Sequence, residues 1–153
     1  MKTVITYGTF DLFHVGHVRL LRRLRALGDR LLVGCSTDKF NTQKGKITAM
    51  PYEQRVEILL ACRYVDAVFP EESWDQKADD ILKYDARILA MGDDWAGHFD
   101  SLETLCEIVY LPRTEGISST EIKKLIASHF REEITSILNE LEIVQKRLRE
   151  MAN

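Results

Sequence analysis

The chain lacks the means for several familiar kinds of protein. Its cysteines, Cys35, Cys62 and Cys106, are odd in number and widely scattered. They offer neither a disulfide framework nor a C-x-x-C metal or redox motif, and they fit a reducing cytoplasm, where the protein is expected. Two of its four histidines, His98 and His129, hold no ligand-like spacing to the others, so a protein-held metal is not expected. Basic residues are not in surplus: 21 Lys and Arg against 24 Asp and Glu give a net charge of -3, which argues against a nucleic-acid partner. No apolar run approaches membrane-spanning length, and MKTVITYG enters a strand directly without a signal-peptide core, so membrane insertion is not expected. What remains is an ordinary globular composition, 45% hydrophobic and 29% charged over 153 residues, enough for one domain whose core needs no staples.

Residues 4–27, VITYGTFDLFHVGHVRLLRRLRAL, read as a short buried strand over 4–7, a glycine-containing turn and a helix, with Gly28 as its C-cap. Short apolar runs at 30–35, 66–70, 86–91 and 107–111 read as four further strands. Helical patterns fall at 51–64 and 75–84, with a helical turn or two at 99–105. The polar stretch 36–50 reads as a loop over the site. Strands alternating with helices imply a Rossmann-like α/β fold, a parallel five-stranded sheet covered by helices on both faces. In such sheets ligands sit beyond the C-terminal strand ends, which gathers the segments after residues 7, 35, 91 and 111.

Those segments carry the chemistry. His14 and His17 lie three apart at the start of the first helix, on one face of its opening turn, with Gly16 between them. A helix N-terminus presents unpaired N–H groups and partial positive charge, and a glycine there lets a phosphate approach the backbone. Ser118 to Glu121 has capping-box spacing and opens a helix over 121–127. With Arg113 upstream and the Ser119 and Thr120 hydroxyls beside it, this second helix end is expected to face the first and grip a polyphosphate. Lys44 and Lys46 flank Gly45 as a flexible cationic clamp. Arg55 and Arg63, eight apart, are read onto one face of the 51–64 helix, where each needs an anionic or carbonyl partner.

GTFDLFHVGH at 8–17 resembles the first signature of the H-x-G-H nucleotidyltransferases. RYVD at 63–66, MGDDW at 91–95 and RTEGISST at 113–120 extend the resemblance, in order and over about residues 1–127, to the glycerol-3-phosphate cytidylyltransferases. It implies transfer of CMP from CTP to sn-glycerol 3-phosphate, giving CDP-glycerol and pyrophosphate. It implies catalytic roles for His14, His17, Lys44, Lys46 and Arg113. CTP would be met by Gly8, Thr9, Phe10, Gly16, Arg63, Gly92, Asp94, Trp95, Thr114, Ile117, Ser118, Ser119 and Thr120, with Asp94 accepting from the cytosine amino group. The acceptor would be met by Asp11, Asp38, Arg55, Asp66 and Lys77, with Asp11 alternatively holding the site's polar network and Arg55 alternatively paired to Asp66 or another carboxylate. Mg²⁺ is implied with CTP, held mainly by the triphosphate. The family carries a histidine near position 84 where this chain has Tyr84. A different phospho-alcohol is therefore the alternative acceptor, and an adenylyltransferase of the same superfamily is the more distant reading.

Residues 1–128 are thus expected to form the nucleotidyltransferase domain. From 129 to 153 Phe130, Ile134, Ile137, Leu141, Val144, Leu148 and Met151 alternate in steps of four and three. This is the a/d seam of a coiled coil on a long amphipathic helix, expected to pair the chain into a homodimer.

Overall fold

The computed structural model describes residues 1–151, which divide into a compact unit Met1–Ile117 and a second that begins at Ser118. The first holds β1 (Thr3–Gly8), α1 (Val15–Arg25), β2 (Arg30–Ser36), α2 (Asp38–Gln43), α3 (Tyr52–Ala61), β3 (Ala67–Glu71), α4 (Lys77–Lys83), β4 (Ala86–Gly92) and β5 (Glu107–Leu111). Two short 3₁₀ turns, Asp93–Trp95 and Asp100–Leu102, lie between β4 and β5. The strands form one all-parallel sheet in the order β3-β2-β1-β4-β5. The order reverses at β1, so the crevice of the fold opens beyond Gly8 and Gly92.

Alternation along the strands explains why both faces are covered. Val4, Leu31, Val33, Ile88 and Ala90 point to one side, where Leu21 and Leu24 of α1 and Leu59 of α3 bury them. Ile5, Tyr7, Leu32, Leu89 and Met91 point to the other, against Ile81 of α4, Phe69 and Phe99. A parallel sheet with crossover helices on both faces has this two-sided core. Pro70 sits in β3, an edge strand, where a missing N–H costs no ladder bond on the open side.

Several element limits differ from the sequence reading, each for a local reason. The stretch 36–50 is not all loop, because Thr37 caps α2 by accepting from the Phe40 N–H at 3.2 Å and Phe40 and Asn41 are buried. Helix α1 ends at Arg25 with Ala26 as C-cap. Gly28 instead lets the chain pass the Lys2 carbonyl, which a Cβ there would meet at 2.5 Å. Helix α3 stops at Ala61, which leaves Arg63 in the following turn rather than on one helical face with Arg55.

The second unit is a single helix, α5 (Ser119–Met151), with no buried residue. The expected boundary at residue 128 falls inside it: no glycine or proline interrupts 119–151, so the expected 121–127 helix and the seam that follows form one rod. Among the described residues, no helix is long and apolar enough to cross a membrane.

Candidate active site

The loop leaving β1 is shaped for the histidines that follow. Phe10 and Leu12 both take left-handed backbone angles, with φ of 52° and 48°, a conformation bulky residues rarely adopt. The turn returns the chain to the sheet end and starts α1 at Val15, with His14 as N-cap. The two histidines cap the helix reciprocally. Nδ1 of His14 accepts from the Gly16 N–H at 3.0 Å, and Nδ1 of His17 accepts from the His14 N–H at 3.3 Å. This is a capping box built from imidazoles.

Two consequences follow. A neutral ring that accepts at Nδ1 carries its proton at Nε2, so the cap sets each histidine as an Nε2–H donor. The rings also stack, 3.9 Å between centroids, with Phe10 and Phe13 5.3 and 5.4 Å from His17. Burial pushes both imidazoles below their ordinary value. His17 falls to about 4, where the neighbouring His14 adds to burial and Asp11 opposes it. Two uncharged hydrogen-bond donors therefore stand at a helix N-terminus. Gly16 is required between them, because a Cβ there would lie 2.8 Å from His14 Cε1 and 2.9 Å from Ile117 Cγ2.

Beside β1 lies a buried ionic cluster. Glu71, at the end of β3, is 2% exposed and meets Nζ of Lys77, also 2% exposed, at 2.9 Å. Its other oxygen accepts from the Ser36 hydroxyl and lies 3.5 Å from Nζ of Lys44. Lys44 also donates to Ser36 Oγ at 2.8 Å. Aromatic faces surround the ammonium groups, with Lys77 4.4 Å from the Tyr7 centroid and 5.1 Å from Trp74, and Lys44 4.2 Å from Phe40. Burial pulls Lys44 below the usual lysine value, and Glu71 works against that shift. Gly8, Thr9, Lys44, Lys46, Glu71, Trp74 and Trp95 line one small cavity of about 50 Å³. Trp74 and Trp95 touch across it, 5.1 Å between ring centroids.

Arg55, Asp38 and Asp11 form a third layer. Arg55, 1% exposed, donates to the carbonyls of Met50, Thr9 and Ser36 and to Asp38. Asp11 accepts from the Ala49 and Met50 N–H groups, and Asp38 from that of Tyr52. These bonds fasten the segment 44–50, with Lys44 and Lys46, to the ends of β1 and β2. Asp11, Asp38 and Arg55, expected at the acceptor, here hold the loop that carries Lys44 and Lys46.

Beyond β5, Arg23 of α1 donates to the Pro112 carbonyl at 2.8 Å and to Thr114 Oγ1 at 3.1 Å, and Thr114 lies 3.5 Å from the Gly16 carbonyl. Arg113 is exposed between these anchored neighbours. Asp94 is exposed in the 3₁₀ turn after Gly92. Ser118, Ser119 and Thr120 belong to the second unit and open α5, where Ser118 Oγ accepts from the Glu121 N–H at 3.1 Å. Two expected residues stand apart. Asp66 accepts from the N–H of Leu31, near the start of β2, and meets Arg25 at 3.3 Å, so it lies at the opposite end of the sheet from the histidines. Arg63 is exposed in the turn just before it. A strand of β2's length separates both from the site. Tyr84 packs on Phe69, 4.8 Å between centroids, and lines a separate cavity of about 280 Å³ with Gln76 and Asp80. It is not among the residues lining the cavity with Lys44.

The cytidylyltransferase-like family model matches residues 5–125. The glycerol-3-phosphate cytidylyltransferase of Bacillus subtilis (strain 168) is 58% identical over 127 residues, 83% of this chain and 98% of that relative. The protein of the same name from Staphylococcus aureus (strain NCTC 8325 / PS 47) is 56% identical over 124 residues, 81% of this chain and 94% of its own. The chain belongs to the cytidylyltransferase-like family. The solved lipopolysaccharide core biosynthesis protein of Thermoplasma volcanium GSS1 shares this cytidylyltransferase-like fold with a TM-score of 0.65 at 23% identity, over 75% of this chain and 99% of that one. The family match ends inside α5, so most of that helix lies beyond it.

Sequence reasoning missed four parts of this cytidylyltransferase-like site. Ser36 and Glu71 carried no motif, although a buried lysine in α4 would have called for a carboxylate. Trp74 had no periodic signal. Arg23 stands seven residues after Gly16 and so on the same helical face, a spacing that could have found it.

Proposed function

We propose that the chain transfers CMP from CTP to sn-glycerol 3-phosphate, releasing pyrophosphate and forming CDP-glycerol. One observation carries this reading: Glu71, a buried carboxylate paired with Lys44 and Lys77, lines a cavity with Lys44, Lys46, Gly8 and Thr9, where the chain leaves β1 for a helix end capped by two histidines. The helix end suits the nucleotide's phosphates. The lysine pair suits a second, separate anion, which a nucleotidyltransferase needs and a nucleotide sensor does not. The likeness to the two bacterial glycerol-3-phosphate cytidylyltransferases supports glycerol 3-phosphate as that anion.

In this mechanism a phosphate oxygen of the acceptor attacks the α-phosphorus. The bond from that phosphorus to the bridging oxygen breaks, and pyrophosphate leaves with the electron pair. The nucleophile is already anionic, so alignment and neutralisation of charge dominate. His14 and His17 donate through Nε2–H to oxygens of the reacting phosphoryl group. Those bonds strengthen as charge grows there. Lys44 and Lys77 hold the acceptor phosphate, while Lys46 and Arg113 meet the leaving group. Asp94 and Trp95 read the cytosine. Arg55, Asp38 and Asp11 keep the lysine loop in place. Among the described residues no three His, Cys, Asp or Glu side chains gather as a ligand set, so a Mg²⁺ accompanying CTP would draw its oxygens mainly from the triphosphate, whose charge it offsets. The protein would act in the cytoplasm and pair through α5.

A panel measuring pyrophosphate release tests the reading, with CTP or ATP crossed against glycerol 3-phosphate, phosphocholine, phosphoethanolamine and FMN. Release only from CTP with glycerol 3-phosphate is expected. Preference for ATP overturns the cytidine assignment, and CTP turnover with another acceptor alone overturns the glycerol assignment.

A further inference from the structure

We infer that α5 docks on α5 of a second copy of this chain in an antiparallel two-stranded coil, in one register. Ile134 of each copy faces Val144 of the other, Ile137 faces Leu141, and Phe130 faces Leu148. The inference rests on the self-association reading above and not on the reaction.

The occupant of this surface follows from its pattern. Phe130, Ile134, Ile137, Leu141, Val144 and Leu148 stand 51–60% exposed along one continuous 33-residue helix, a seam of two positions per heptad that exposed Leu138 flanks and from which exposed Ile143 stands apart. The steps of three and four fix the heptad: Ile134, Leu141 and Leu148 occupy a, and Phe130, Ile137 and Val144 occupy d. Parallel dimers favour β-branched side chains at a with Leu at d. Here the branched residues lean towards d, with Leu at two of the three a positions.

Charge decides the direction. The flanking g positions are Glu133, Glu140 and Arg147, and the e positions are Arg131, Leu138 and Gln145. In a parallel pair each g side chain meets the next e of the partner. Glu133 would then meet Leu138 and Glu140 would meet Gln145, with no opposite charges joined. In an antiparallel pair g meets g. Glu133 of each copy then meets Arg147 of the other, twice, and Leu138 meets its own counterpart beside the apolar centre. One like-charged contact remains, Glu140 against Glu140 at the middle. Sliding by one heptad would relieve that contact but would take Phe130 out of the seam. The chosen register keeps all six positions paired. It places the first residues of the two α5 helices about 60 Å apart.

The test uses the full-length chain. Light scattering on the parent and on Leu141→Glu reads self-association. Ile134→Cys and Val144→Cys are then oxidised separately and mixed, and linked peptides are identified by mass spectrometry apart from Cys35, Cys62 and Cys106. The expected results are a fall in mass for Leu141→Glu and a 134–144 disulfide only in the mixture. Glu140→Gln should also lower the dimer dissociation constant several-fold. Disulfides in each variant alone overturn the antiparallel direction. No link in any sample, or weaker association of Glu140→Gln, overturns the register. A mass unchanged by Leu141→Glu overturns self-association through α5 together with this inference, while pyrophosphate release remains a separate readout of the reaction.

Discussion

Removing the Lys77 ammonium separates its pairing with Glu71, seen in the structure, from the acceptor contact proposed for it. Lys77 and Glu71 are each 2% exposed and joined at 2.9 Å. Breaking a buried pair by deleting one partner costs about 3–5 kcal/mol, because a carboxylate is left without its counter-charge. Glu71 keeps Ser36 and a more distant Lys44 at 3.5 Å, so the lower end applies. Lys77→Met should therefore lose about 3 kcal/mol, or roughly 6–12 °C in melting temperature for a chain of this size. The double variant Lys77→Met/Glu71→Gln removes both partners of that ion pair but leaves the Lys44 ammonium, its side chain 9% exposed, to Ser36 Oγ and an amide oxygen. It should recover part of the loss, to within about 2 kcal/mol of the parent. Acceptor binding should not return with it: KM for glycerol 3-phosphate is expected to rise at least about tenfold in both variants, since the donor is absent from both. Urea titrations and steady-state kinetics on the parent and three variants, including Glu71→Gln alone, complete the cycle. A single Lys77→Met variant melting within about 2 °C of the parent would refute the dependence of Glu71 on Lys77. A double variant that recovers KM along with stability would show that Lys77 only neutralises Glu71.

Three further outcomes are expected. His17 sits at about 4 when folded against an ordinary 6.5, so on acidification the unfolded chain takes up the proton first and stability falls from about pH 6.5 down to about pH 4. Between pH 7 and 5 this amounts to about 2 kcal/mol, a slope that urea midpoints should show in the parent and that His17→Asn should lack. Gly16→Ala would favour the helix by about 1 kcal/mol on propensity alone, but its Cβ meets His14 and Ile117 below 3 Å. Turnover should fall at least about tenfold with little change in melting temperature; a faster or equal enzyme refutes the need for space there. Arg23→Ala frees Pro112 and Thr114 and should raise KM for CTP about tenfold with kcat little changed, as read by pyrophosphate release at varied CTP.

The fold was legible wherever a period or a cap repeated itself over several residues. Five apolar runs separated by helical patterns specify a parallel sheet, and the rule that ligands gather beyond its C-terminal strand ends correctly drew Gly8, Lys44 and Trp95 towards one cavity. Side-chain direction was less legible. Arg55 was read as facing an acceptor or pairing with a carboxylate, and Asp11 as lying at the acceptor or holding the polar network. Arg55 spends its donors on Met50, Thr9, Ser36 and the Asp38 carboxylate, and Asp11 accepts from the 49–50 backbone, so the second reading of each is the one the structure shows. A polar residue near a site has the same sequence signature whether it touches the ligand or the loop that does. Asp66 failed for another reason. Its neighbours in sequence lie at the start of β3, and even a parallel strand of five residues carries its two ends to opposite sides of the fold. Glu71 and Ser36 stayed hidden because they are matched across strands 35 residues apart, a pairing that no local pattern encodes.

The densest departures from local rules fall between Phe10 and His17, and their coincidence is itself informative. Two bulky residues there adopt left-handed angles, each costing on the order of 1–3 kcal/mol. The helix they lead into is capped by histidine rather than by the Ser, Thr, Asp or Asn that caps best. A chain selected for stability alone would relieve the turn with glycine at 12 and cap the helix with serine at 14, while Phe10, 6% exposed, is held in place by the core it fills. What those replacements would lose is a fixed tautomer: a hydroxyl at the N-cap satisfies the Gly16 N–H equally well but presents no Nε2–H beyond it. Strain in the turn and an unusual cap are therefore one device. The backbone is bent so that the helix's own N–H groups, used as donors to Nδ1, hold two imidazole protons ready on the other nitrogen. Local irregularity that repays itself only through chemistry is what sequence rules should fail to anticipate at a working site.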